Sequence, residues 1–144
     1  MYLYNDKGVK DICHGIKSRD KMYIDKCIYD MLNAEVVRKG DVLVPVPQHE
    51  GRAIYTLEIA KGIAKEVDVE VYDILKSRAR KSLFEIKKCG NLYIPRFYKV
   101  GDVCGGSRIV LIDNVIDTGI TIRSCMWSLG VRNIIALAYA RVRR

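Results

Sequence analysis

The run Arg108-Ile-Val-Leu-Ile-Asp-Asn-Val-Ile-Asp-Thr-Gly-Ile-Thr-Ile-Arg123 changes hydrophobic rhythm twice, and its polar groups fall where the rhythm changes. Ile109 to Ile112 is unbroken apolar and rich in β-branched side chains, the pattern of a strand buried on both faces of a parallel sheet. The pattern predicts that this strand ends at Asp113 and that a short loop containing Gly119 follows Asp113-Asn114. A helix is expected from about Thr121, with Ile122, Cys125, Met126 and Leu129 on one face until Gly130 stops it. Strand, polar loop and helix in that order constrain the chain to an α/β fold with its chemistry at the carboxyl end of the strand.

Such a unit is an anion site for a physical reason. The first amide N–H groups of a helix have no intrahelical partner, the helix dipole favours negative charge there, and Gly119 lets a ligand approach the backbone. Thr118 and Thr121 add hydroxyl groups, and Asp113 is placed to accept hydrogen bonds from sugar hydroxyls or to help hold a metal. The plain alternative is that Asp113 and Thr118 cap the helix. A Walker A loop is excluded, since no Gly-Lys-Ser or Gly-Lys-Thr occurs, and a dinucleotide fingerprint is excluded because the loop has a single glycine.

A length of 144 residues suits one domain with a proper core, and an apolar fraction of 49% with 29% charged residues is globular. Nothing in the sequence reads as a membrane span or as a basic-then-apolar leader, so a cytoplasmic protein is expected. The cysteines (Cys13, Cys27, Cys89, Cys104, Cys125) are odd in number, scattered and without a Cys-x-x-Cys, which argues for buried free thiols rather than disulfides or a zinc site. The net charge is +8, and residues 76–108 carry nine basic side chains against Glu85 and Asp102. A segment with that excess attracts phosphate-rich small molecules or nucleic acid, unless it is only a solvated loop.

Along the rest of the chain, residues 2–4 read as a short strand and Lys7 to Lys17 as an amphipathic helix with Val9, Ile12, Cys13 and Ile16 on one face. His14 beside that face is a structural residue or a base, the former being commoner. A second helix is expected from Asp20 to near Gly40, and both helices are expected to cover the sheet. Asp41-Val-Leu-Val-Pro-Val-Pro47 is a strand whose alternating prolines remove ladder donors, predicting an edge strand or a strand end. The turn Gln48-His-Glu-Gly-Arg52 precedes a helix carrying Ile54, Leu57, Ile59, Ala60, Ile63 and Ala64. Arg52 either pairs with phosphate oxygens or is an ordinary surface residue at a helix start. Val69, Val71 and Ile74-Leu75 are expected to make one strand, followed by a long basic segment broken by Gly90, Pro95, Gly101 and Gly105-Gly106, with a short strand at 96–100. Asn133 to Val142 is apolar enough for an interior strand. The expected organisation is a single domain, 1–144, with a helical start (1–40), an α/β core with a mainly parallel sheet (41–75 and 106–144) and a basic, lid-like segment (76–105).

Residues 109–121 resemble the phosphoribosyl-pyrophosphate (PRPP) loop of type I phosphoribosyltransferases: an apolar strand, an acidic pair, a hydrophobic residue, any residue, a small polar pair, then Gly-x-Thr. One residue departs from that pattern, Asn114 where a second acid is usual. Val42 to Pro47 followed by Gly51-Arg52 looks like the pyrophosphate-side loop of amidophosphoribosyltransferases and of ComF-like phosphoribosyltransferases. His14-Gly-Ile-Lys17 and Ile134 to Arg141 match the order of parts in the ComF-like group, although its cysteine-rich zinc ribbon and its usual lid pattern are not found.

The resemblance implies a Rossmann-like α/β fold and transfer of a phosphoribosyl group from magnesium-bound PRPP to a nitrogen acceptor, with release of pyrophosphate. It implies that Asp117, Thr118, Gly119, Ile120 and Thr121 hold the 5-phosphate and that Asp113 and Asn114 contact the ribose hydroxyls, with Asp113 also toward Mg2+. Gln48, Gly51 and Arg52 would face the pyrophosphate, and Arg78, Arg80 and Lys81 would lie in a lid. Asp117 stands where 6-oxopurine phosphoribosyltransferases have an aspartate that acts as a base on the purine; otherwise it is a helix-start acid. Asp113 and Asp117 are thus the candidate catalytic residues. The implied partners are PRPP or a nucleotide monophosphate and a second copy of the chain in a homodimer, with no membrane. Two other readings stand beside this one. The first is a PRPP- or nucleotide-binding regulator that kept the fold and lost the chemistry, and the second is a nucleic-acid-associated protein of DNA uptake. Phe84 is the only aromatic side chain in residues 76–90, which disfavours a base-stacking platform.

Overall fold

The computed structural model describes residues 2–79, 96–103, 107–130 and 133–143. Its elements are β1 (Tyr2–Leu3), α1 (Lys7–Lys17), α2 (Lys21–Asn33), β2 (Val42–Pro45), α3 (Tyr55–Val67), β3 (Glu70–Val71), β4 (Leu75–Lys76), β5 (Tyr98–Lys99), β6 (Ile109–Ile116), α4 (Ile120–Leu129) and β7 (Ile134–Arg141). Five strands form one sheet in the order β1-β7-β6-β2-β3, and every pairing in it is parallel. A second, two-stranded sheet pairs β4 with β5 antiparallel, Leu75 opposite Lys99. The α/β fold with a parallel sheet flanked by helices agrees with the sequence.

Period-two alternation along β6 builds two cores from one strand. Val110 and Ile112 face α1, α2 and α3, packing with Cys13, Ile16, Cys27, Ile59 and Ile63. Ile109 and Leu111 face the other way, toward Ile122, Cys125 and Leu129 of α4 and toward Ile74, Leu75, Phe97 and Val103 of the smaller sheet. All four of these β6 side chains are fully buried, and each contributes about 1.5–3 kcal/mol of transfer free energy. Helices α1 and α2 start where aspartates cap them: Asp6 accepts from the amides of Gly8 and Val9, and Asp20 from that of Met22.

Three expectations need correction. Strand β6 does not end at Asp113 but runs on to Ile116, because β7 continues beside it and pairs Asp113, Val115 and Ile116 with Ala138, Ala140 and Arg141. Helix α2 stops at Asn33 rather than near Gly40, since Glu35 takes a left-handed conformation (φ 54°) that no helix can continue through. For β2 the second of the two alternatives holds: the strand is interior and its prolines mark a strand end, Pro45 being its last residue, with the ladder passing on through the Val46 amide, which donates to Ile112 O at 2.9 Å. Residues 69–75 make two strands rather than one, β3 in the main sheet and β4 in the smaller one.

Candidate functional site

The topology selects one edge of the sheet. From β2 the chain passes through α3 to β3 on one side, and from β6 it passes through α4 to β7 on the other. Right-handed crossovers in opposite directions put α3 and α4 on opposite faces and leave a crevice where β2 and β6 lie side by side. The loops that leave the carboxyl ends of these neighbouring strands are the two singled out from the sequence. They are adjacent because Pro45 is in register with Ile112.

The β6 loop is Asp117-Thr118-Gly119, and Gly119 is the N-cap of α4 with φ 80° and ψ 2° and no side-chain cap hydrogen bond. A left-handed N-cap is accessible to glycine at little cost. A Cβ built there meets nothing within 4 Å among the described residues, so toward them the loop is open. The Ile120 amide donates to Thr118 Oγ1 at 3.3 Å, and Arg123 donates from its guanidinium to Thr118 O at 3.3 Å. Asp117 through Thr121 are all half-buried. Asp113 does not cap the helix: its Oδ1 accepts from the amide of Asn114 at 2.8 Å, at the half-buried end of β6. Asn114 is 3% exposed. Its Nδ2 has no hydrogen-bond partner among the described residues. The acidic pair of the motif thus becomes a half-buried carboxylate followed by a buried neutral amide.

The β2 loop is a closed turn. The Gly51 amide donates to Gln48 O at 2.9 Å and the Gln48 amide to Arg52 O at 3.0 Å. The buried Gln48 side chain takes the Ile54 amide at 2.6 Å where α3 begins. Thr56, fully buried in the first turn of α3, donates to Val46 O at 2.8 Å and ties helix to strand. Arg52 is exposed at this turn, and His49 lies beside Glu50 at 3.4 Å. Gly51 (φ 96°) is packed against the backbone of Ser77, so exposed Arg78 follows directly on a residue that touches the turn. Ser77 was not foreseen, because nothing in its local sequence signals a backbone contact 26 residues away. Arg80 and Lys81, and the lid expected around them, lie outside the described residues. His14 is exposed, with Nε2 at 3.5 Å from the Tyr4 hydroxyl, and belongs to α1, away from the two loops.

Among the described residues no three His, Cys, Asp or Glu side chains come together as a metal site, and no helix there is long and apolar enough to cross a membrane. Cys13, Cys27 and Cys125 are free and buried. Burial pushes the Cys13 thiol up to about 11 and Cys27 higher still, which keeps both as inert thiols.

A doubly wound parallel sheet with two loops side by side at its switch point defines a Rossmann-like α/β domain. Among solved structures, the purine phosphoribosyltransferase from Pyrococcus horikoshii superposes on it with a TM-score of 0.53 and 24% identity, over 82% of this chain and 72% of that one. That likeness shows the fold. No family model matches the sequence, and neither does any curated protein.

Proposed function

We propose that the protein is a phosphoribosyltransferase that binds magnesium-bound PRPP in the crevice between β2 and β6 and transfers its phosphoribosyl group to a nitrogen acceptor. The observation that carries this reading is the start of α4: a left-handed Gly119 with no side-chain cap, open toward the described residues around the switch point. Amides there suit the 5-phosphate, with the Thr118 and Thr121 hydroxyls beside them. Across the crevice, Arg52 suits the diphosphate end. Asp113 at the rim suits the ribose hydroxyls, while Asp117 would accept the proton that the nitrogen acceptor loses.

In the reaction, the bond from the anomeric carbon to the pyrophosphate oxygen breaks, pyrophosphate leaves with the electron pair, and the acceptor nitrogen bonds to that carbon. No covalent intermediate with the protein is needed, so the chain's work is positioning and charge stabilisation. The donor set fits magnesium in one limited way: Asp113 is a single hard carboxylate, which suits an ion held mainly by the substrate's own oxygens and water. When bound, that ion neutralises charge on the leaving pyrophosphate.

One observation favours a second reading, a PRPP- or nucleotide-binding regulator: the position of the second acid holds a buried neutral amide. Thermal shift with PRPP and magnesium, AMP, GMP, UMP, pyrophosphate and a single-stranded oligonucleotide, followed by an assay of pyrophosphate release, separates the readings, since a ligand that binds the native state raises Tm. Stabilisation by PRPP with release of pyrophosphate is expected. Stabilisation without release with any base or ammonia moves the protein to the regulator class. Stabilisation by the oligonucleotide alone removes both readings in favour of nucleic-acid binding, and no shift with any ligand removes all three.

A further inference from the structure

We infer that Ser77 is a positioning residue for the Arg52 turn, acting through Gly51; this rests on the reading that the turn takes the diphosphate end of PRPP. Strand β4 pairs with β5 through Lys76 and Tyr98, and at the next residue it changes partner. The Ser77 amide donates at 2.9 Å to Gly51 O, while the Phe97 carbonyl accepts the Ser128 hydroxyl at 2.8 Å. The contact is close on both sides. A Cβ at Gly51 would stand 2.1 Å from Ser77 O, 3.1 Å from Ser77 C and 3.4 Å from Ala79 N, all backbone atoms that cannot swing aside as a flexible side chain can.

The consequence is a single frame carrying two arginines. The turn is closed on itself by the Gln48 and Gly51 hydrogen bonds and fastened to α3 through Gln48 and Ile54. Ser77, itself 8% exposed, fastens the outer side of that turn, and its hydroxyl donates to Arg78 O at 3.1 Å. Arg52 and Arg78 are therefore referred to one another through backbone, which sets the cationic charge presented to a diphosphate before it arrives and lowers the entropy cost of holding it. A lone arginine on a free turn would bear that cost at each binding event.

The test uses the full chain with magnesium pyrophosphate and AMP as separate probes, and PRPP for kinetics. Ser77→Pro removes the donated N–H while adding nothing at Gly51. In that variant the pyrophosphate Kd and the PRPP KM should rise about tenfold or more, the AMP Kd should stay within about twofold, and kcat at saturation should change little. Equal losses for pyrophosphate and AMP, or no loss for either, overturn the proposal. Amide exchange in the unmutated chain gives a reading that does not depend on the variant folding: pyrophosphate, but not AMP, should slow exchange of the Ser77 N–H, and unchanged exchange overturns the proposal too. A parent chain that binds AMP but not pyrophosphate removes the reading of the turn itself; a parent that binds pyrophosphate beside a Ser77→Pro variant that binds it as tightly removes the role of Ser77 alone.

Discussion

Asp113 and Asn114 are neighbours in sequence and opposites in environment. Under the proposed function, the half-buried Asp113 is the carboxylate beside the ribose, where the oxocarbenium charge develops. Under the proposed function, Asp113→Asn should lower kcat on the order of 10²-fold while leaving the affinity for AMP nearly intact, because the charge acts mainly in the transition state. Equal losses of kcat and AMP affinity would make it a binding residue instead. Asn114 is 3% exposed with an unpartnered Nδ2 among the described residues, and a carboxylate in its place would be desolvated. Asn114→Asp should thus have a folded-state pKa raised above its unfolded value. The neutral acid folds well below that value, and stability is lost as pH rises above about 4, by about 1–3 kcal/mol at neutral pH. Denaturant unfolding at pH 4 and at pH 7.5 checks this; an acid variant as stable as the parent at pH 7.5 would show that the position is solvated. The pair shows what a motif conveys and what it leaves out: residue types and spacing were legible, but the burial of each depends on β7, which extends β6 past Asp113.

Elements were legible where one strong local signal set them. The helix at Lys7–Lys17 follows from its apolar face and the Asp6 cap, and α4 from the rhythm between Gly119 and Gly130. The misread elements were those decided by partners distant in sequence: β6 is prolonged by β7, and residues 69–75 are divided between two sheets. The end of the strands opposite the site carries another such contact. Arg108, just before β6, donates to both carboxylate oxygens of Asp41, just before β2, at 3.0 and 2.7 Å, and to Val36 O at 2.7 Å. Burial alone would raise the Asp41 pKa, but hydrogen bonds from Arg108 and the Arg38 amide, with the charges of both arginines, outweigh it and hold the carboxyl below its ordinary value. A depressed folded pKa gives stability that is present above the unfolded pKa, near 4, and is lost as pH falls through the folded one. Asp41→Asn should accordingly cost about 1–3 kcal/mol at pH 7 and flatten the acid limb of the stability curve. Because the pair lies at the far edge of the sheet, AMP affinity should not change. A variant with an unchanged acid limb would mean the pair contributes nothing.

At the scale of the molecule, the strands β2, β6 and β7 are each shared by two cores that have no helix in common among the described residues, and β6 lies between the other two. Cys13, Ile16, Ile24, Cys27, Ile59 and Ile63 pack on one face of the sheet, and Ile122, Cys125 and Leu129 with Leu75 and Phe97 pack on the other. If the two layers were only loosely joined, each could melt by itself, since each buries its own apolar surface. They are joined, however, by backbone: β6 is hydrogen-bonded to β2 and to β7, and its successive side chains enter alternate cores. Neither layer can be lost without exposing the other face of the same strand, so the two should unfold in one transition. Leu111→Ala and Ile112→Ala test this as a pair, because both side chains are 0% exposed and they lie on opposite faces. Each should cost about 2–5 kcal/mol. Both should move one common transition, seen alike by far-ultraviolet circular dichroism and by tyrosine absorbance, without changing its slope with urea. Two resolved transitions, one shifted by Leu111→Ala and the other by Ile112→Ala, would show that the sheet does not couple its faces. The site would then rest on the α4 layer alone.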